Sequence, residues 1–158
     1  YATSNISSGT LICNMTGEHI DFDELVERVK SGAEMASDPL ATSMSSYIDL
    51  DETSRSFNHS CQPNAYIRSV NELVALTDIQ PGEEICFDYS TTMHYPEERI
   101  LSQGLELWSC ACNCGTPECR GVIDQFKTLS PELQSYYLQH AFLPQFMIET
   151  FKPVTQLS

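Results

Sequence analysis

The chain has 158 residues, of which 41% are hydrophobic, and this composition favours one globular domain over a disordered segment. Its 22 acidic residues outnumber its 8 basic residues, for a formal net charge of -14. The negative charge argues against unaided binding to the phosphate backbone of nucleic acid, and no apolar run is long enough for a transmembrane helix. The first residues have neither the basic residues nor the apolar block of a signal peptide, so a cytoplasmic or nuclear location is expected.

The acidic charge has two interpretations. It favours a basic partner, because a negative surface attracts a peptide rich in Lys and Arg, such as a histone tail. It also keeps a protein soluble without any partner. The sequence leaves both interpretations open, and it makes no prediction of an oligomeric state.

Short strands and one helix are predicted at the start of the chain. Residues 10–13 are apolar and lie between Gly9 and Gly17, which are typical turn residues. A helix follows, because Asp21 is a candidate N-cap and apolar residues recur at helical spacing until Gly32, namely Phe22, Leu25, Val26 and Val29.

The middle of the chain has the pattern of a loop, a strand and a hairpin. Residues 37–46 are polar and contain Pro39, which predicts a loop, and residues 47–50 predict a brief strand. Apolar residues then alternate with polar ones from residue 64 to residue 76, which predicts a hairpin.

A tight turn and a strand are predicted after the hairpin. Pro81 and Gly82 favour a reversal before a strand over residues 85–89, so Tyr89 is expected at a strand end where side chains can enter a cleft. Residues 90–107 are predicted to form a long polar connection. Near the C-terminus, Ser130 as N-cap and Pro131 at the first helical position predict a helix that ends before Pro144.

Four of the seven cysteines lie within ten residues, at Cys110, Cys112, Cys114 and Cys119. Cysteines that alternate in this way cannot pair locally without strain, whereas thiolates at this spacing can point at one cation. Zinc in a structural site takes four thiolate or imidazole ligands. The spacing therefore favours a metal site over disulfides. Cys112, Cys114 and Cys119 supply three ligands, and the fourth would come from elsewhere in the chain. Cys110, two residues ahead of Cys112, could compete with these cysteines as a ligand.

Three separated stretches carry a resemblance to a known family. They are residues 55–64 (RSFNHSCQPN), residues 82–89 (GEEICFDY), and Cys112, Cys114 and Cys119 followed by Arg-Gly. In this order they resemble the SET-domain protein-lysine methyltransferases with a zinc-binding post-SET segment. The resemblance implies a mainly β fold with short helices, in which small sheets surround a pseudoknot, followed by a post-SET zinc knot and a C-terminal helix.

The resemblance also divides the chain into segments. Residues 1–107 correspond to the SET domain, residues 108–128 to the post-SET zinc-binding segment, and residues 129–158 to a C-terminal helical extension. Family members carry a Gly-x-Gly turn just ahead of a Phe-Ala-Thr segment. Tyr-Ala-Thr at residues 1–3 resembles the residues after that turn, and the 158 residues do not include the turn itself.

The resemblance implies roles for individual residues. Tyr89 matches the channel tyrosine, whose hydroxyl orients the amine, and Tyr47 is a candidate second channel wall or, alternatively, a core aromatic residue. S-adenosyl-L-methionine is the implied cofactor, with contacts from Arg55, Phe57, Asn58, His59, Tyr89 and Trp108. Asp88 and Glu84 are interpreted as structural.

Zinc is the second cofactor that the resemblance implies. Cys61 matches the fourth ligand of the post-SET site, beside Cys112, Cys114 and Cys119. Aromatic residues after these cysteines, such as Phe126 and Tyr136 or Tyr137, are candidates either to cover the cofactor or to pack in the core.

The resemblance therefore predicts an enzyme that transfers methyl groups from S-adenosyl-L-methionine to a lysine of a basic protein or peptide. Two alternatives stay open at this point. One is a degenerate SET scaffold that binds a partner without methylating it. The other is an enzyme that uses the pocket for different small-molecule chemistry.

Overall fold

The computed structural model describes residues 1–33 and 38–152. Within these residues the chain forms ten short strands, which are β1 (Leu11–Asn14), β2 (Gly17–Asp21), β3 (Pro39–Ala41), β4 (Ser46–Leu50), β5 (Asn58–His59), β6 (Ala65–Arg68), β7 (Glu72–Ala75), β8 (Cys86–Phe87), β9 (Cys110–Ala111) and β10 (Val122–Ile123). The same residues form five α-helices, which are α1 (Phe22–Ser31), α2 (Glu52–Arg55), α3 (Glu97–Ser102), α4 (Pro131–His140) and α5 (Gln145–Phe151).

The described strands assemble into four small sheets. Two sheets have three antiparallel strands, in the orders β1-β7-β6 and β2-β4-β3. The other two are pairs: β9 and β10 are antiparallel, and β5 and β8 are parallel. This arrangement of small sheets with short helices confirms the predicted fold class.

The first helix forms where the sequence predicts it. The side chain of Asp21 accepts a hydrogen bond from the backbone N–H of Glu24 at 2.9 Å, which caps the N-terminus of α1. Gly32 ends the helix with a φ of 72°, a left-handed conformation that favours glycine. The predicted apolar face packs inwards through its buried residues Phe22, Leu25 and Val26.

The predicted hairpin and the turn after it are also confirmed. Strands β6 and β7 pair antiparallel, with Ala65 opposite Ala75. Alternate residues of β6 enter the core, whereas three consecutive residues of β7 are buried, namely Leu73, Val74 and Ala75. Gly82 has a φ of 86°, so the turn at Pro81 and Gly82 uses a conformation that glycine adopts without strain. The strand after this turn is shorter than predicted, since β8 contains only Cys86 and Phe87.

The predicted loop over residues 37–46 is wrong for Pro39–Ala41. These three residues form β3, which pairs antiparallel with β4, and all three are buried. A proline is compatible with this strand because it occupies the first position of an edge strand. Ser37, which the loop prediction included, lies outside the described residues.

The prediction of a polar connection over residues 90–107 is also wrong. A 3-10 turn spans Tyr89–Thr92, and α3 follows within the predicted connection. Met93, Tyr95 and Ile100 from this segment are buried in the same cluster as residues of α1. A helix of six residues with one buried side chain leaves almost no periodic signal in the sequence.

The C-terminal region forms its own small core. Ser130 caps α4 by accepting a hydrogen bond from the backbone N–H of Leu133 at 3.2 Å, as predicted. The second helix, α5, was not predicted. Together with α4 it buries a cluster that contains Phe126, Leu129, Tyr137, Leu143 and Met147.

Residues 153–158, the end of the predicted extension, lie outside the described part of the chain. Every described helix is too short or too polar to cross a lipid bilayer.

Candidate active site and cysteine cluster

Two distant segments of the chain meet at the centre of the molecule. The parallel pairing of β5 with β8 places Asn58 beside Cys86 and His59 beside Phe87. The side chain of Asn64 holds the crossing together, because its Oδ1 accepts the backbone N–H of Cys86 at 2.9 Å and its Nδ2 donates to the carbonyl of Glu84 at 2.8 Å. The predicted crossing of the two motifs is therefore present in the fold.

Tyr89 follows this crossing directly, and hydrogen bonds hold both its backbone and the tip of its side chain. Its backbone N–H donates to Nδ1 of His59 at 3.1 Å, and its hydroxyl donates to the carbonyl of Phe57 at 2.7 Å. Burial raises the pKa of Tyr89 to about 12, and the negative charge of Asp38 adds to this effect. The phenol is therefore protonated at neutral pH, and its oxygen keeps a lone pair for a further hydrogen bond.

Tyr89 lines two cavities. The first is narrow, with a volume of about 40 Å³, and is bounded by Pro39, Leu40, Phe57, Phe87 and Tyr95. The second is an open cleft of about 490 Å³, bounded by Asn58, His59, Glu84, Cys112 and Asn113. The volume of the open cleft falls within the usual range for a small-molecule site. Tyr89 thus borders both a small cavity and a larger open cleft.

The structure separates the residues that the resemblance assigns to the cofactor. Asn58 and His59 line the open cleft, and Nδ2 of Asn58 donates to Oε1 of Glu84 at 2.5 Å. Arg55 and Phe57 line the narrow cavity instead. The Arg55 guanidinium forms an ion pair with Asp49, which orients it along the wall of that cavity.

Trp108 lies away from the open cleft. It lines a separate apolar groove together with Leu25, Val26 and Val29 of α1. Among the described residues, those that border the cleft with Asn58 and His59 do not include Trp108. Its indole ring therefore packs beside α1 in this structure.

Tyr47 also lies outside both cavities that Tyr89 lines. It is fully buried, and its ring stacks on that of Tyr95 with centroids 6.1 Å apart. Its hydroxyl has no hydrogen-bond partner among the described residues. Burial raises the pKa of Tyr47 to about 12. Tyr47 thus supports Tyr95, which itself borders the narrow cavity.

Four potential metal ligands converge beside the crossing. Ligand atoms of His59, Cys61, Cys112 and Cys114 all lie within 4.8 Å of one another. The Sγ atoms of Cys61 and Cys112 are 3.7 Å apart, which is far too long for a disulfide. Thiolates bound to tetrahedral zinc at 2.3 Å would be separated by about 3.8 Å. The spacing of these sulfur atoms therefore suits a zinc ion.

The hydrogen bonds of His59 argue against its being a ligand. Its Nδ1 accepts the backbone N–H of Tyr89, so in a neutral ring Nε2 carries the hydrogen. Nε2 lies 3.3 Å from Sγ of Cys61 and donates to it. Cys119, the remaining ligand that the resemblance implies, is not among the four residues whose ligand atoms lie within 4.8 Å of one another; its thiol donates to the carbonyl oxygen of Cys112 at 3.5 Å, which places it beside the cluster. All seven cysteines are free of disulfide bonds, and Cys110 is exposed.

Burial disfavours the negatively charged thiolate form of the cysteines in this cluster. It raises the pKa of the Cys61 thiol and that of the Cys112 thiol above their usual value. Two N–H donors partly offset this at Cys61, because the backbone N–H of Arg120 also donates to its Sγ at 3.4 Å. At Cys114 burial also raises the pKa, but hydrogen bonds with Thr116 and with neighbouring groups outweigh it and lower the pKa to about 6. A cation would favour the thiolate form at Cys61 and Cys112 as well, which is the chemistry of a structural metal site.

A match to a family model decides the family. The model described as "SET domain" matches residues 1–90, which is more than half of the chain. The chain belongs to the SET-domain family. The match covers both segments that cross at Tyr89, and it confirms the SET-domain part of the resemblance; the Cys-rich segment lies outside the matched residues.

Known relatives of this SET domain are larger proteins. The chain is 30% identical over 130 residues to the histone-lysine N-methyltransferase ash1 of Drosophila melanogaster, an alignment that covers 75% of the chain and 5% of the relative. It is 28% identical over 157 residues to the histone-lysine N-methyltransferase SETMAR of Rattus norvegicus, covering 82% of the chain and 48% of the relative. The chain therefore spans less than half of each relative.

A solved structure supports the fold. The SET domain superposes on a chain of apo ctPRC2, a structure with two mutations in Ezh2, with a TM-score of 0.53. The sequences are 23% identical, and the match covers 60% of this chain and 13% of that one. At this identity the likeness shows the fold alone.

Sequence reasoning missed a buried ion pair in this SET domain. The two terminal guanidinium nitrogens of Arg120 donate to the carboxylate of Asp88, at 2.7 and 2.8 Å, and the Asp88 side chain is completely buried. Tyr137 of α4 donates its hydroxyl to the same carboxylate at 2.9 Å. In the sequence, Asp88 lies in the second motif and Arg120 in the third, and opposite charges in two motifs do not by themselves indicate a contact.

Proposed function

We propose that this SET domain transfers methyl groups from S-adenosyl-L-methionine to a lysine side chain of a protein substrate. The observation that carries this proposal is the position of Tyr89, which lines both the narrow cavity and the open cleft. A transfer between two molecules that enter from different sides needs such a shared wall. The narrow cavity suits a lysine side chain, because a tight passage excludes water from the reacting atoms.

The open cleft has the chemistry to hold the cofactor. When bound, S-adenosyl-L-methionine would supply a sulfonium methyl group: the nitrogen of a lysine that has already lost its ammonium proton to solvent would bond to the methyl carbon as the S–C bond breaks, which leaves the neutral thioether S-adenosyl-L-homocysteine. The carboxylate of Glu84 and the amide of Asn58 border the cleft and can bind the charged amino-acid end. The aromatic face and oxygen of Tyr89 favour a positive sulfonium nearby. These residues fit the cofactor that the family uses.

Tyr89 orients the amine in this scheme. Its hydroxyl donates to the carbonyl of Phe57, so the phenol oxygen is left to accept a hydrogen from the incoming nitrogen. That hydrogen bond points the nitrogen lone pair towards the methyl carbon. The role needs a protonated phenol, which the raised pKa of Tyr89 maintains.

A zinc ion held by Cys61, Cys112, Cys114 and Cys119 completes the proposed site. The spacing of 3.7 Å between the sulfur atoms of Cys61 and Cys112 supports this assignment, as does the His59 tautomer. The ion would tie the Cys-rich segment to the crossing. It would thereby hold Cys112 and Asn113 at the wall of the open cleft.

The substrate that fits best is a basic protein segment. The chain carries a formal net charge of -14, and Asp38 lines the narrow cavity. Relatives named histone-lysine N-methyltransferases favour a histone tail as this segment, and a nuclear location with it. Charge attraction would raise the association rate and would weaken at high salt.

The test combines cofactor binding with methyl transfer. Calorimetry with S-adenosyl-L-methionine measures binding, and transfer of a labelled methyl group to histones and other basic proteins measures activity. We expect binding and incorporation on lysine, with loss of both in Asn58→Ala. A protein that binds zinc but no cofactor would contradict the proposal and favour a degenerate scaffold that acts as a binding module.

A further inference from the structure

One buried hydrogen bond joins the C-terminal helix α4 to the segment that carries Tyr89. The hydroxyl of Tyr137 donates to Oδ2 of Asp88 at 2.9 Å. Tyr137 is 2% exposed and Asp88 is 1% exposed, so water does not compete for this bond. Burial raises the pKa of Tyr137, as does the negative charge of Asp88, so the hydroxyl stays protonated and remains the donor.

Asp88 is a junction of three segments. Its carboxylate accepts from Arg120 of the Cys-rich segment, from Tyr137 of α4 and from the backbone N–H of Ser90. A carboxylate offers about four acceptor positions, and Oδ2 uses one for Arg120 and one for Tyr137. Loss of the Tyr137 hydroxyl would leave Oδ2 held by Arg120 alone.

Asp88 and Tyr89 lie in the same hydrogen-bonded turn. The two residues are adjacent, and the carbonyl of Asp88 accepts the backbone N–H of Thr91 at 3.0 Å in the turn that begins at Tyr89. The ring of His59 holds the Tyr89 backbone N–H from the other side. A rotation at Asp88 would shift the start of the turn that carries Tyr89, and the phenol oxygen lies at the far end of that side chain. A misplacement of about 1 Å in a reacting site can lower a rate roughly 100-fold.

We propose that Tyr137 is a positioning residue for Tyr89, so that helix α4 forms part of the methyl-transfer unit rather than an appended extension. The helix acts through the carboxylate of Asp88. This inference rests on the proposed function, since it concerns the placement of the same phenol.

Two matched substitutions test the inference. Tyr137→Phe removes only the hydroxyl that reaches Asp88. Tyr136→Phe removes a hydroxyl from the neighbouring residue, which is 42% exposed and packs its ring on Phe142. We expect Tyr137→Phe to lower kcat for methyl transfer by about 10-fold to 100-fold. We expect its affinity for S-adenosyl-L-methionine and its zinc content to stay unchanged, and Tyr136→Phe to match the unsubstituted protein.

A second readout does not depend on activity. Hydrogen exchange at the Tyr89 backbone amide reports the bond to His59, and we expect faster exchange in Tyr137→Phe than in Tyr136→Phe. Both variants are compared at a temperature where circular dichroism shows them folded. Unchanged kcat together with unchanged exchange at Tyr89 would overturn the inference, even if the melting temperature fell. An unsubstituted protein without methyl transfer would defeat the proposed function separately, and the exchange result would still decide the link between Tyr137 and Tyr89.

Discussion

The ring of His59 joins the cysteine cluster to Tyr89 by two hydrogen bonds of opposite direction. Nδ1 accepts the backbone N–H of Tyr89 at 3.1 Å, and Nε2 donates to Sγ of Cys61 at 3.3 Å. Burial lowers the pKa of His59, so the ring stays neutral at pH 7 and keeps this single tautomer. The histidine is thus placed as an outer support of the proposed metal site, comparable to the outer partners of other metal ligands.

The proposed metal site gives the first prediction. Cys119→Ser and Cys114→Ser should each lower the bound zinc measured by elemental analysis, because each removes a proposed thiolate ligand. His59→Gln should keep its zinc, since His59 is not a ligand in this arrangement. Cys110→Ser is the matched control, because Cys110 is exposed and lies in the same segment. Loss of zinc in His59→Gln with retention in Cys119→Ser would reverse the assignment of the fourth ligand.

The second prediction concerns the Tyr89 hydroxyl. Tyr89→Phe should lower turnover by roughly 10-fold to 100-fold or change the number of methyl groups added, because the phenol oxygen no longer orients the amine. Mass spectrometry of the product peptide measures both effects. Tyr66→Phe provides a control in a ring that packs on Phe142, away from the two cavities. Equal product distributions in Tyr89→Phe and Tyr66→Phe would remove Tyr89 from the proposed mechanism.

The third prediction is a pH profile. The pKa of Tyr89 is raised to about 12, so its phenol is protonated across the working range and does not titrate there. The substrate lysine must lose its proton to react, and its ordinary pKa is about 10.4. The rate should therefore rise with pH from 7 to 10, and the profile of Tyr89→Phe should have the same slope at a lower level. A flattened slope in that variant would show that Tyr89 itself acts as the base.

The fourth prediction uses Tyr47. Its buried hydroxyl has no hydrogen-bond partner among the described residues, and burying such a group costs about 1–3 kcal/mol. Tyr47→Phe should therefore leave the free energy of unfolding unchanged or higher in urea denaturation, with methyl transfer retained. Lost activity in a fully folded Tyr47→Phe would instead assign Tyr47 to the channel wall.

The fifth prediction tests the buried ion pair. Arg120→Met leaves the Asp88 carboxylate buried without its counter-ion, which should cost about 3–5 kcal/mol of unfolding free energy. Adding Asp88→Asn should recover part of this loss, because the uncompensated charge is removed. Arg68→Met is the control, since the Arg68 side chain is 44% exposed in its pair with Glu72 and should contribute about 0.5 kcal/mol or less. Similar losses in Arg120→Met and Arg68→Met would contradict the structural role of the pair.

Local signals explain which elements could be predicted. The helix that starts after Asp21 and the helix that starts after Ser130 have caps and apolar spacing within a few residues, and both form. The strand at Pro39–Ala41 could not be predicted, because it exists through pairing with β4 and through burial. Its three residues are too few to carry a pattern of their own.

The sequence by itself determined the family, the crossing motifs and the group of cysteines, because each depends on residue types at close spacing. Only the tertiary structure decided which cavity each residue enters, as with Trp108 beside α1 and Arg55 in the narrow cavity. It also decided that Asp88 binds Arg120 and Tyr137, which are 32 and 49 residues away. Such contacts follow from how the small sheets and helices pack, and packing joins residues without regard to their separation along the chain.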